Sequence, residues 1–441
     1  MSMDNLDQLY EQHLMTVRHR TDLALAATGF DTLVIHSGIA PLQFLDDQSY
    51  PFKVNPHFNA WLPINDNPRC ILIYNSGHKP TLLFYQPDDY WHKTAALPQA
   101  SWTDHIQVIP LRDPKQASPH WSTLGRVAII GAEHTFDELH GTLNPPNLLT
   151  RLHFDRAIKT PYEIECMRRA STLGAQGHRA ALAAFRRGAS EYIAHMEYLL
   201  ACNQREEEMP YNNIVAYNQH AAVLHYQHLA RNAPTTFSSF LIDAGAQYRG
   251  YAADITRTYA ARPGAFADLV TGLDDVQRKL CSEVTSGRDY RDIHLSAHRL
   301  LGDLMHDSGL INIPGQAALE QGVTSVFFPH GVGHLLGLQV HDVGGVMADV
   351  DGKEHQRPKG HPYLRLTRML EPGVVVTIEP GIYWIDSLLA SARTDARGEQ
   401  INWKMVDELR CYGGIRIEDN VVATTSVPEN LTRDAFTKLA A

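Results

Sequence analysis

The apolar runs of the first 150 residues are short and unbroken. "DTLVIHSG", "CILIYN", "TLLFY" and "RVAIIG" each suit one buried strand, and turn residues bound every one of them. Ahead of them, residues 4–28 read as a helix. This stretch predicts an α/β domain, with "QFLDDQSYPFKVNPHFNAWLP" (43–63) as an aromatic- and proline-rich ordered loop. Near residue 155 the pattern changes. "KTPYEIECMRRASTLGAQGHRAALAAFRRG" offers Thr160 as N-cap, Pro161 at the first helical position and Glu163 to close a capping box. Apolar residues then recur at helical spacing until Gly188, and Ser190 opens a further helix to about 203.

From 211 onward strands and helices come in blocks. "YNNIVAYN", "SSFLIDAG" and "GYAADITRTY" predict strands, 263–286 and 290–308 predict helices, and "GVVVTIEPGIYW" and "GIRIEDNVVATT" predict strands again. Such blocks indicate an α+β domain on an antiparallel sheet. A chain of 441 residues has room for two domains, placed at 1–155 (smaller, α/β) and 156–441 (α+β).

Composition narrows the classes. Hydrophobic content of 44% and charged content of 20% are those of an ordinary globular protein. No stretch of about 18 apolar residues predicts a membrane span, and "MSMDNLDQLYEQHLM" does not read as a signal peptide. The five cysteines are scattered and form no CxxC pair, which fits reduced thiols and a cytoplasmic setting. A net charge of −10 disfavours nucleic acid as a partner. There is no HExxH helix, no GxSxG elbow and no Walker loop, and "GVGHLLG" (331–337) has one residue too many for a dinucleotide loop.

"DAGAQYRGYAADITRTY" (243–259) places two aspartates in strand surroundings, where carboxylates are costly. Folded as a hairpin turning at Tyr248 and Arg249, the stretch makes Asp243 and Asp254 direct cross-strand neighbours. Taken singly, either Asp could cap a turn or meet Arg249 or Arg257. The rest of the chain changes that balance. "FFPHGVGHLLGLQVHD" holds His330, His334 and His341; "VVVTIEPGIYW" ends an apolar strand on Glu379; "GGIRIEDNVV" puts Arg416 and Glu418 on one face. Four converging carboxylates repel unless cations balance them, and Asp, Glu and one His make a hard, oxygen-rich set suited to Mn²⁺, Co²⁺ or Zn²⁺.

"DAG…D", "HGVGH", "TIEPGIY" and "GIRIED" resemble the signatures of the M24 metallopeptidases, the pita-bread enzymes that include methionine aminopeptidase, aminopeptidase P and prolidase. The 43–63 loop and "VLHYQH" (223–228) resemble the bacterial prolidases of the M24B branch and the related organophosphorus acid anhydrolase. The resemblance implies a pita-bread catalytic domain behind a creatinase-like N-terminal domain. It implies Asp243, Asp254, His334, Glu379 and Glu418 as ligands of two divalent ions, Mn²⁺ foremost. It further implies hydrolysis of Xaa-Pro dipeptides by a bridging hydroxide, with Glu379 as base, His225, His330 and His341 as outer histidines, and Arg416 neutralising the carboxylates. Arg365 matches the residue that looks like the reader of a free α-carboxylate, and Tyr211 lines the pocket for the first residue. Asp47 resembles a residue reaching across a homodimer. Phosphotriester hydrolysis is the implied side activity. Two alternatives stand beside this reading: an aminopeptidase P acting on longer Xaa-Pro peptides, and a non-catalytic pita-bread binding module.

Overall fold

The computed structural model describes residues 3–120, 124–132 and 139–440. The chain divides into two compact units, one of residues 1–156 with 160–165 and 349–352, the other of 157–159, 166–348 and 353–441.

In the first unit a helix, Met3–Thr28, precedes a six-stranded sheet. Its strands are β1 (Thr32–His36), β2 (Ile71–Asn75), β3 (Thr81–Tyr85), β4 (Gln107–Leu111), β5 (Val127–Ile130) and β6 (Thr142–Leu143), in the order β4-β3-β2-β1-β5-β6. Every residue of the central β1 is buried, as expected of a strand covered on both faces. Val34, Ile73, Leu83 and Ile129 share one core cluster, and Tyr74 Oη donates to Asp22 Oδ1 at 2.7 Å, tying the sheet to the long helix. The four predicted strands are present. The pattern gave no sign of β4, because "QVIPL" contains Pro110. Within the ladder proline is tolerated at an edge, and β4 is an edge strand. The 43–63 loop holds one short helix, Pro56–Asn59, capped by Asn55.

The helix from Pro161 runs to Arg186, and its capping box forms as the sequence predicts: Thr160 N–H donates to Glu163 Oε2 at 2.8 Å, and Glu163 N–H to Thr160 Oγ1 at 3.4 Å. Ser190 caps Glu191–Cys202, and the two predicted helices beyond it are Ala265–Ser282 and Tyr290–Asp307.

The strands of the second unit pair antiparallel throughout. β7 (Ile214–Tyr217), β8 (Ser239–Asp243) and β11 (Thr256–Ala260) form one sheet, and the short β9 (Gln247–Tyr248) and β10 (Tyr251–Ala252) extend its hairpin. β12 (Val375–Ile378), β15 (Asp419–Val422) and β16 (Glu429–Asn430) form a second sheet, and β13 (Gly381–Tyr383) pairs with β14 (Gly414–Arg416). Leu273, Leu280, Ile293 and Leu301 of the two later helices join Val376, Ile378, Ile415 and Val421 of the strands in one core. This is the α+β, pita-bread arrangement. Among the described residues no helix is long and apolar enough to cross a membrane.

One interaction in this unit is unusual for its depth. Lys159 Nζ donates to Asp342 Oδ2 at 2.7 Å, and both side chains are fully shielded from solvent. A charge stranded there has nowhere to go. We expect Asp342→Asn to cost about 3–5 kcal/mol in a urea denaturation series, and Asp342→Asn with Lys159→Met to recover part of that loss.

Candidate metal centre

The acidic residues singled out in the sequence occupy places where strands end or break. Asp243 is the last residue of β8, Asp254 lies between β10 and β11, Glu379 between β12 and β13, and Glu418 between β14 and β15. The sequence predicted continuous strands through Asp254 and Glu418 and a strand ending on Glu379, and the breaks free each backbone from a regular ladder. Glu379 N–H instead donates to Val332 O at 2.8 Å, and Glu418 N–H to Thr256 O at 3.0 Å.

The hairpin carrying the two aspartates differs in register from the expected one. Tyr248 pairs with Tyr251, so the turn is centred on Arg249 and Gly250, one residue later than Tyr248 and Arg249. Both turn residues have positive φ, 52° and 86°, the conformation that tight hairpin turns demand and that Gly250 satisfies without strain. Asp243 therefore faces Thr256 rather than Asp254. Moving a turn by one residue shifts partners by two and so keeps the face. The aspartates are diagonal neighbours on the same side.

Tyr211 joins them. Its hydroxyl lies 2.7 Å from Asp243 Oδ1 and 2.6 Å from Asp254 Oδ1, so one proton serves two carboxylates. Arg416 Nη2 donates to Asp243 Oδ2 at 2.7 Å, and its other nitrogens donate to Tyr383 Oη at 3.0 Å and Thr256 Oγ1 at 3.2 Å. Thr256 in turn donates to Glu418 Oε2 at 2.6 Å. His334 Nδ1 donates to Leu335 O at 3.0 Å, which leaves Nε2 facing Asp254 Oδ2 and Glu379 Oε1, each at 3.5 Å. Both nitrogens of His330 are engaged, Nδ1 with Gly331 O and Nε2 with Tyr383 Oη, each at 2.8 Å.

The electrostatics record the crowding. Burial, reinforced by Asp254, Glu379 and Asp243, lifts the Glu418 carboxyl well above the carboxylate range. Burial carries Glu379 up to about 7 even against His334 and Arg416. Asp243 is raised by burial and by Asp254, with Arg416 opposing. Burial pushes Asp254 upward too, but the hydrogen bond and charge of His334, with help from Tyr211, bring it below its ordinary value. For His334 burial acts downward and is outweighed by Asp254 and Glu379. Burial first, then Arg416, holds His330 at about 3; burial, then His334 and Arg365, holds His341 at about 4.

Four carboxylates thus face one guanidinium and one imidazole, and the surplus is negative. Asp254, His334 and Glu418 each offer a donor atom, all within 4.8 Å of one another. Asp243 adjoins that group through Tyr211, and Glu379 through His334. The donor set and its charge fit divalent cations.

These residues line a cavity of about 840 Å³, together with Tyr211, His225, His330, His341, Arg365 and Arg416. Asp47 belongs to the other unit, exposed in its 39–50 loop. Several participants were not singled out from the sequence. Thr256 and Thr377 lie two residues from Asp254 and Glu379, so the strand period would have found them. Tyr383 ends the "TIEPGIY" signature without having been singled out, and Arg357, which lines the same cavity as Arg365, carried no local signal. Glu191 is fully buried at the base of the 218–230 segment that supplies Leu224 and His225 to the wall. Its carboxylate accepts from Tyr217 N–H, Tyr226 Oη and Ala230 N–H, each at 2.8 Å, and meets His220 Nδ1 at 2.7 Å.

This fold and this cluster are those of a metallopeptidase. The chain belongs to metallopeptidase family M24, whose model matches residues 165–425, and residues 8–154 match the model of the Xaa-Pro dipeptidase N-terminal domain. A Xaa-Pro dipeptidase of Xanthomonas campestris is 49% identical, with 99% of each chain covered. One from Shewanella oneidensis is 47% identical, covering 98% of this chain and 99% of its own. Among solved structures, Escherichia coli aminopeptidase P with the inhibitor Pro-Leu superposes with a TM-score of 0.71 at 22% identity, over 99% of this chain and 96% of that one. Proline aminopeptidase P II of Yersinia pestis gives 0.70 at 24%, over 97% and 99%.

The Glu191 anchor generates a local expectation. In Glu191→Gln one acceptor becomes a donor facing two of the four groups it holds. Amides of residues 218–230 should then exchange with solvent deuterium about tenfold or more faster, the equivalent of roughly 1–3 kcal/mol of lost protection, while the β12–β15 sheet keeps its own.

Proposed function

We propose that this protein is a metal-dependent Xaa-Pro dipeptidase in which Asp243, Asp254, His334, Glu379 and Glu418 hold two divalent ions. The observation that carries the reading is the convergence of four carboxylates, those of Asp254 and Glu418 buried, and of the buried His334 on one cavity. The full-length relatives named Xaa-Pro dipeptidase support the substrate class. Oxygen-rich ligands favour Mn²⁺, with Co²⁺ or Zn²⁺ able to replace it. When bound, such ions supply Lewis acidity toward a carbonyl oxygen and a water acidic enough to ionise near neutrality.

The chain's own groups do the rest. Glu379 takes the proton of the attacking water. Tyr211 keeps Asp243 and Asp254 at a fixed spacing through its shared hydroxyl. Arg416, held by Tyr383 and Thr256, offsets the charge of Asp243 and faces the substrate. His225 and His341 donate to the carbonyl oxygen and return a proton to the leaving imino nitrogen. His330, committed on both nitrogens, orients Tyr383 rather than touching substrate. A dipeptide ends in a free carboxylate directly after proline, and Arg365 reads it, with Arg357 alongside; a guanidinium matches a carboxylate in charge and shape. The same centre would attack phosphotriesters as a side activity.

The setting we infer is a cytoplasmic homodimer. Phe44 and Leu45 are 89% and 90% exposed on the loop that bears Asp47, and a second copy would cover them and bring Asp47 to its partner's site.

Chelator-stripped protein should hydrolyse neither Ala-Pro nor Ala-Pro-Ala, and added Mn²⁺ should restore cleavage of Ala-Pro alone. Cleavage of the tripeptide as well would make the enzyme an aminopeptidase P. Absence of cleavage despite bound metal would leave a binding module. Arg365→Ala should raise KM for Ala-Pro about tenfold or more, in line with the loss of a charged hydrogen bond, and leave Ala-Pro-amide nearly unchanged. An equal rise for both would remove Arg365 from carboxylate recognition.

A further inference from the structure

The helix Tyr290–Asp307 carries His294 and His298 one turn apart, both about 1% exposed. The half-buried His361 joins them from the turn that precedes the cavity residues Pro362, Tyr363 and Arg365. Each ring offers one nitrogen, and the three nitrogens lie within 4.8 Å of one another. Hydrogen bonding accounts for two of the rings. Val332 N–H donates to His294 Nδ1 at 3.3 Å, so His294 carries its proton on Nε2, which donates to His361 Nδ1 at 2.9 Å. It does not account for the third. His298 Nδ1 meets Thr324 Oγ1 at 2.8 Å, but its Nε2 is buried with no partner, and its ring packs 4.5 Å from that of His361 and 4.7 Å from that of His294. An orphaned polar atom in a core costs about 1–3 kcal/mol and calls for an explanation.

We propose that His294, His298 and His361 form a binding site for a borderline d-block cation, best matched by Zn²⁺ and separate from the carboxylate centre. Three imidazoles with a fourth position open to water form a known zinc ligand set. They select against Mn²⁺, which prefers oxygen, so the two sites sort metals differently. Burial holds all three imidazoles in the neutral, metal-binding form, His294 at about 3. Zn–N bonds of about 2.0–2.1 Å set tetrahedral ligand nitrogens roughly 3.3 Å apart, so the His294–His361 pair opens by a few tenths of an ångström. A cavity of about 190 Å³ bounded by His294, His298, Phe328, His330 and His361 leaves room for the ion and a water.

Occupation carries a consequence for the catalytic segment. Ligation through His294 Nε2 moves the ring proton to Nδ1, which then confronts Val332 N–H instead of accepting from it. Val332 lies between His330 and His334, and its carbonyl holds Glu379 N–H. Zinc at this site therefore perturbs the backbone that positions Glu379, while tying down the loop that leads to Arg365.

The test is zinc stoichiometry in the full chain. Chelator-stripped wild type, His361→Gln and His298→Gln are dialysed against low-micromolar free Zn²⁺ and their zinc is counted by elemental analysis. Wild type should hold one equivalent per chain more than either variant, whatever number the carboxylate centre takes. His361 is half-buried on a turn, so His361→Gln carries the comparison should His298→Gln fail to fold. Equal zinc in wild type and His361→Gln overturns the proposal and leaves a packed, hydrogen-bonded histidine cluster.

Discussion

Mutual repulsion among Asp243, Asp254, Glu379 and Glu418 is the constraint to which the second unit is built. Two unit charges 4 Å apart at an effective dielectric of about 20 interact by roughly 4 kcal/mol, and a domain is stable by only about 5–15 kcal/mol. Four carboxylates so close, two of them buried and two half-buried, cannot all stay ionised on those terms without help. The help within the chain is one guanidinium, one imidazole and the hydroxyls of Tyr211 and Thr256. It is incomplete, which is why burial still lifts Glu379 and Glu418 so far. On the proposed function, divalent cations would complete it, and the positive charge that stabilises the cluster would also supply its reactivity.

Glu418 and its neighbour Asp419 show how an acid becomes structural or functional. Both are buried, and nothing in "IEDN" separates them. Asp419 has two arginines of its own, Arg257 and Arg433, each at 2.7 Å, and its carboxyl is held low despite burial. Glu418 receives a hydroxyl from Thr256 and only the distant influence of Arg416. One acid closes its own ion network, and the other does not.

This contrast marks how much could be read from the chain. The five residues of the cluster were legible because each sits in a short signature and because the strand period assigns Arg416 and Glu418 one face. The hairpin was legible in its face but not in its register, since a turn one residue along keeps the same side chains together. The strand end at Glu379 was legible, because Pro380 and Gly381 follow it. The breaks at Asp254 and Glu418 were not, because the strand pattern continues across them and the cause lies in backbone bonds to remote residues, such as Glu418 N–H to Thr256 O. Arg257 and Arg433 belong to Asp419 only through pairings formed in the folded state. The Glu191 anchor and the Lys159–Asp342 pair were hidden for the same reason: each joins segments that sequence spacing cannot relate.

The segment 328–342 carries this logic furthest. Its polar side chains face different demands: His330 meets Tyr383, His334 turns to the acids, His341 lines the cavity and Asp342 holds Lys159. A regular strand would alternate these side chains between two faces and could not serve all four. The backbone is irregular instead, and it is secured by bonds on either side. Val332 donates to His294 and accepts from Glu379, and His334 N–H donates to Thr377 Oγ1 at 3.1 Å. That approach is possible because residue 333 has no side chain: a Cβ there would lie 2.1 Å from Thr377 O and 2.3 Å from Tyr290 Oη. Precision at the carboxylates is thus supplied by a stretch without regular secondary structure, fixed residue by residue to the core around it.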